Sequence, residues 1–195
     1  SLWIGTITAT LAIVIGGMVA YISQRLEPWA GRPLSNMTQI GYAIPGTVLG
    51  LSLILFYNTY LPWLYGSITV IVLAYLIRFL TQAVQGSEAA LTAIHHTLEE
   101  AARSLGAQTF KVLSRVNIPN TKPALLASRA LVFISAMKEL DAILLLRPAC
   151  FVSIPIRVYI HTIEAEYSTA ATMSLLLIAA TAIPWLLIST MREKR

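Results

Sequence analysis

Five runs of roughly 20 residues, at about 2–23, 38–57, 66–86, 123–146 and 168–191, are dominated by Leu, Ile, Val, Ala and other apolar residues. A hydrocarbon layer about 30 Å thick is crossed by roughly 20 residues rising 1.5 Å each. Inside lipid every backbone N–H and C=O must be satisfied within the segment, so a single apolar run of this length is read as a helix. The chain is therefore expected to be an all-α membrane protein with five spans. Composition agrees: 12% of residues are charged and the mean hydropathy is +0.71, where soluble domains carry about 25% charge. Pro45-Gly46 and Pro184 predict kinks in the second and fifth spans.

Lys and Arg are concentrated on the cytoplasmic side of membrane proteins. If the polar segment 87–122 is cytoplasmic, nine basic residues (Arg25, Arg32, Arg103, Lys111, Arg115, Lys122, Arg192, Lys194 and Arg195) fall on that side. Only Arg147 and Arg157, in the loop 147–167, fall on the other. The expected orientation places Ser1 outside and Arg195 inside. This distribution also accounts for the net charge of +5 without a nucleic-acid partner. Cys150 is the only cysteine, which excludes an internal disulfide. The opening "SLWIGTITATL" has no Met and no basic start, so a piece of a longer protein is expected rather than a signal peptide.

The segment 87–122 carries the most informative pattern. Thr97-Leu98-Glu99-Glu100 matches a capping box, with Thr97 as the cap and Glu100 reaching back. Leu98, Ala101, Ala102 and Leu105 follow at i, i+3, i+4 and i+7, a single stripe on a short helix. Gly106 suits a left-handed helix end. A second amphipathic turn places Phe110, Leu113 and Val116 opposite Lys111 and Arg115; Pro119 ends it, and Thr121 and Pro123 restart the chain. An interfacial helix would use bulkier residues to bury area. The small stripe instead fits close docking against another protein.

Glu100-Ala101-Ala102, Gly106 and Val116-x-Ile118-Pro119 resemble the EAA loop of ABC importer permeases, E-A-A-x3-G-x9-I-x-L-P, with conservative changes at Val116 and Ile118. The resemblance implies a type I importer permease core of five transmembrane helices, multi-pass in the bacterial inner membrane. Its loop would be a coupling helix in which Leu98, Glu100, Ala101, Ala102, Leu105 and Gly106 dock an ATP-binding cassette ATPase dimer. It further implies a periplasmic substrate-binding protein, a second permease half on the same or another chain, and the lipid bilayer as partners. The chain has no G-x4-G-K-[ST], so ATP and Mg belong to the ATPase, and no cofactor, metal or catalytic residue is expected here.

Lys138, Glu139 and Asp141 lie towards the outer end of the fourth run, where ionisable side chains usually face a water-filled path or one another. They are candidates for the translocation path or gate; the alternative is a cluster fixing the helix depth. Arg78 and Arg129 are read as structural residues that snorkel to the cytoplasmic interface. The run "KELDAILLLRP", with "RVY" at 157–159, "AYLIRFL" and "YAIPG", resembles the ferric-iron branch of these permeases, although Asp141 stands where that branch has Pro. Thiamine, phosphonate, polyamine and sulfate or molybdate permeases share the gate region and are the alternatives. A secondary transporter or channel, and a structural assembly subunit, are the rivals outside the class. His95-His96 point about 100° apart and are not read as a metal pair. His161, Glu164 and Glu166 crowd the outer loop, where the carboxylates offer hard oxygen ligands, but contact with a delivering protein or simple solvation is the preferred reading over a direct iron site.

Overall fold

A computed structural model describes residues 1–26, 28–149 and 151–193, all helices and connections. Helix α1 spans Leu2–Tyr21 and runs into a wider π turn, Ile22–Leu26. Then come α2 (Pro28–Ala43), α3 (Gly46–Tyr60) and α4 (Ile68–Thr92). The polar segment holds α5 (His96–Ser104) and the single turn α6 (Thr109–Val112). A second π turn, Leu113–Asn117, leads into α7 (Ile118–Lys138), followed by α8 (Asp141–Leu146), α9 (Ile154–Ile163) and α10 (Tyr167–Glu193).

The centre is a bundle of α1, α4 and α7, and small residues set its spacing. Ala9 and Ala12 of α1 and Ala74 and Ala83 of α4 are fully buried. A Cβ added to Gly16 would lie 2.8 Å from the Ala83 carbonyl carbon. With apolar tails on the outside there is little hydrophobic force between helices, so close backbone approach and dispersion hold such a seam together. The outer surface is correspondingly apolar: Leu175, Leu176, Ile178, Ile183 and Trp185 of α10 are all exposed. Helix α10 packs on α9 and α7 only along its inner side. The Ser1 hydroxyl accepts a hydrogen bond from the Ile154 N–H at 2.9 Å, joining the start of α1 to α9.

Two of the expected spans differ from the sequence reading. The 38–57 run is not one kinked helix: α2, from Pro33 on, and α3 meet at 100° across Ile44-Pro45. Proline disfavours a helical residue before it and supplies no N–H, and Pro45 is extended, with φ −56° and ψ 139°. The 123–146 run starts earlier, at Ile118, and breaks at Glu139-Leu140. Pro119 sits in the first turn of α7, where its missing N–H costs nothing, so it opens this helix instead of ending the preceding one. Helix α4 continues to Thr92, six residues beyond the expected end, and α10 continues through Pro184. Among the described residues, α1 with its π turn, α4 and α10 are each long and apolar enough to cross a membrane, and the bent α2–α3 pair passes jointly.

Candidate functional site

The first site is the elbow formed by α5. His95 is extended and α5 begins at His96, so Thr97 lies inside the first turn and no side chain caps this helix. The expected capping box is therefore absent. Its physical replacement is Glu99, which turns inward to Arg25: Arg25 Nε donates to Glu99 Oε1 at 2.7 Å, and each side chain is only 5% exposed. Arg25 Nη2 also donates to the Leu91 carbonyl at 3.0 Å and lies 3.5 Å from that of Ile94, at the end of α4. One guanidinium thus joins the ends of α1 and α4 to α5. Sequence reasoning missed this pair because it treated Arg25 only as a topology charge; the signal was the second, adjacent acid.

Fixing Glu99 inward fixes the rest of α5, since neighbouring residues are turned about 100° apart. Glu100 and Ala101 are exposed and Ala102 half-buried. Leu98 is 52% exposed and Leu105 88%. All six docking candidates, Gly106 included, lie along one accessible elbow. Gly106 has φ +80°. Its N–H bonds the Arg103 carbonyl at 2.9 Å, and the Ala107 N–H bonds that of Ala102 at 3.1 Å, the paired closure of a Schellman turn. A Cβ there would meet nothing within 4 Å, so the backbone angle alone asks for glycine. In the following turn Val112 is buried, while Phe110 and Lys111 are both exposed.

The second site lies where the two helix breaks meet. Glu139, 8% exposed, sits between α7 and α8; its Oε1 accepts from the Ala142 N–H at 3.2 Å and so caps the first turn of α8. Its Oε2 lies 3.5 Å from Arg78 Nη2. Arg78 belongs to the middle of α4, because that helix runs on to Thr92, and the expected snorkelling does not occur. Arg78 Nε and Nη1 are buried without a hydrogen-bond partner. A Cβ on Gly46, at the start of α3, would run into Arg78 Nη1, the Asp141 Cβ and Glu139 Oε1. The structure thus brings Glu139 and Asp141 together with Arg78 and Gly46, while Lys138 is exposed at the end of α7.

At the far end of α9, His161 Nδ1 lies 2.9 Å from Glu166 Oε2 and 3.9 Å from Glu164 Oε2. The chain between them turns through Ala165 at φ 59°. The three can offer ligand atoms within 4.8 Å of one another, and both glutamates are exposed, so the contacts are those of a solvated polar cluster. Cys150 lies outside the described residues.

A helical bundle with several helices long and apolar enough to cross a membrane, interrupted by breaks and carrying a projecting elbow, is the architecture of a multi-pass membrane protein. Its fold is similar to solved structures of the inward-facing MetNI methionine ABC transporter. One crystal form gives a TM-score of 0.74 at 16% identity, covering 97% of this chain and 92% of that one. The family model for the binding-protein-dependent transport system inner membrane component matches residues 12–192, and the chain belongs to that family. It is 30% identical over 176 residues to the Fe(3+)-transport system permease protein FbpB 2 of Haemophilus influenzae, covering 90% of this chain and 35% of that protein. The putative 2-aminoethylphosphonate transport system permease protein PhnV of Salmonella typhimurium is 23% identical over 181 residues, 93% of this chain and 68% of that one. The chain thus spans about a third of the length of the iron-permease relative.

Proposed function

We propose that this chain is a membrane-spanning part of an ATP-driven importer for ferric iron, with ATP hydrolysed on a separate subunit. The observation that carries the proposal is the elbow: α5 presents Leu98, Glu100, Ala101 and Leu105 outward, while Arg25 ties its inner side to the ends of α1 and α4. An ATPase dimer seated on this surface moves α5, and α1 and α4 move with it. The elbow is cytoplasmic in this reading, and α9 faces a periplasmic substrate-binding protein. The face bearing Gly46 and Glu139 meets a second permease half, and the Arg78–Glu139 pair closes the path between them. Alternation between two packed arrangements of the spans then carries the cargo across.

The iron assignment leans on the likeness to the Haemophilus protein. The unpaired Arg78 N–H groups favour a second reading, an oxyanion cargo of the phosphonate type. The experiment is uptake of radiolabelled ferric iron and of 2-aminoethylphosphonate by cells carrying the full transporter, wild type against Gly106→Asp. Iron uptake that the variant loses while still reaching the membrane supports the importer and its cargo together. Phosphonate uptake alone replaces the cargo, and uptake unchanged in the variant refutes docking at the elbow.

A further inference from the structure

The two halves of the elbow are chemically different. Helix α5 carries Glu99 and Glu100 beside Arg103, with small residues on its docking stripe. Beyond Gly106 the acids stop. No Asp or Glu occurs between Glu100 and Glu139, while Lys111, Arg115 and Lys122 mark the way from α6 through the π turn into α7. All three are exposed, and the ion pairs among the described residues give none of them an acid.

Between these charges the surface is bulky and apolar. Phe110 is 78% exposed and Ile118 49%. On α7, Ile118, Lys122 and Leu126 follow at i, i+4 and i+8, so a lysine stands in one row between two exposed aliphatic side chains. Helix α7 has 21 residues, a length of ~30 Å, which is one hydrocarbon thickness. Set across the layer from its first residue, it places Lys122 only ~6 Å inside the boundary. The long stem of a lysine carries its ammonium back to the headgroups from that depth. Arg115 and Lys111 precede this point and lie at headgroup level or beyond. Bulky apolar residues interleaved with Lys and Arg are what a membrane interface selects, and basic residues clustered beside a span attract anionic headgroups. An acidic protein surface would match the charge but would offer nothing to Leu126, a further turn into the layer.

We propose that the stretch from Phe110 to Leu126 is a contact surface for anionic phospholipid. Lys111, Arg115 and Lys122 hold headgroup phosphates, and Phe110, Ile118 and Leu126 enter the layer beside them. In the orientation proposed above the lipid belongs to the cytoplasmic leaflet; the contact rests on α7 crossing the membrane and not on the cargo. The elbow is then held to the bilayer surface by its second half, while α5 stays open to a protein partner.

The test reconstitutes the full transporter, with its ATPase, in vesicles of equal parts phosphatidylglycerol and phosphatidylcholine. The two leaflets are alike, so insertion in either direction gives the same reading. One lipid or the other carries a photoactivatable diazirine at the top of an acyl chain, and labelled peptides are identified by mass spectrometry, with α10 as the reference. Phosphatidylglycerol should label residues 110–126 about threefold or more over phosphatidylcholine. The preference should vanish in about 0.5 M salt, where charges more than about 4 Å apart are largely screened. It should vanish too in Lys111→Gln/Arg115→Gln/Lys122→Gln, whose melting temperature should match wild type because all three side chains are exposed. Equal labelling of 110–126 by both lipids in wild type overturns the proposal. So does labelling that appears only once the ATPase is stripped away, which would make the stretch a protein interface. A preparation that keeps the preference but transports neither ferric iron nor phosphonate refutes the importer reading alone.

Discussion

Removing the Glu99 carboxylate tests whether α5 is held by Arg25. The pair is 2.7 Å long and both side chains are 5% exposed, so it is a buried pair and not a surface one. Surface pairs contribute about 0–1 kcal/mol, whereas removing one partner of a buried pair costs about 3–5 kcal/mol. Arg25 keeps its bond to the Leu91 carbonyl, which places Glu99→Ala at the lower end, about 3 kcal/mol. Glu99→Gln retains an acceptor but loses the charge assistance, for a cost of roughly 1–2 kcal/mol. The loss is local, because α5 makes few other contacts with the bundle. At 1.4 kcal/mol per tenfold, the detached population of α5 should rise about a hundredfold in the alanine variant and roughly tenfold in the glutamine variant. Hydrogen exchange of the α5 amides in the assembled transporter reads this directly, with α1 and α4 as internal references. Exchange in Glu99→Ala within about threefold of wild type would refute the brace. A rise shared equally by α1 and α4 would refute its local character.

Gly106→Ala should destabilise the elbow by about 1–2 kcal/mol, the cost of a left-handed angle on an L-residue, since φ is +80° and the added methyl meets no atom. Faster exchange at Ala107 and reduced uptake at normal membrane abundance are the readouts. Arg78→Ala should cost about 3–5 kcal/mol by stranding the Glu139 carboxylate between the helix breaks. The double variant Arg78→Gln/Glu139→Gln should then be more stable than either single alanine variant. Thermal unfolding in detergent, arranged as a double-mutant cycle, checks the sign of that coupling.

What could be read from the sequence followed from strong local signals. The apolar runs gave the helices, because a chain in lipid has few alternatives. The Glu-Ala-Ala to Gly106 spacing located the elbow, because a left-handed glycine and a small-residue stripe are local features. The losses came from long-range geometry. Thr97 met the pattern of a cap, but the bond that fixes α5 crosses from Arg25, 74 positions away. Arg78 was placed near an interface because the end of α4 was set six residues early, and its partner lies on a different helix. Lys138 looked equivalent to Glu139, but Lys138 ends α7 and is exposed, whereas Glu139 sits in the break and is buried. Pro45 was legible as a disturbance, yet proline chemistry alone does not distinguish a kink from a 100° corner.

That corner also gives the molecule a compass. The first-turn N–H groups of α3 lack intrahelical acceptors, as at every helix start, and no side chain caps them. Hydrocarbon offers such groups nothing, so a broken helix at membrane depth is tolerated only against protein or water. The side of the bundle bearing Gly46 therefore turns away from lipid, while the apolar exterior of α10 turns towards it. A bundle with one wet side and one oily side has a fixed rotation about its own axis in the bilayer. The second permease half proposed above is therefore to be sought on the side bearing Gly46, away from α10.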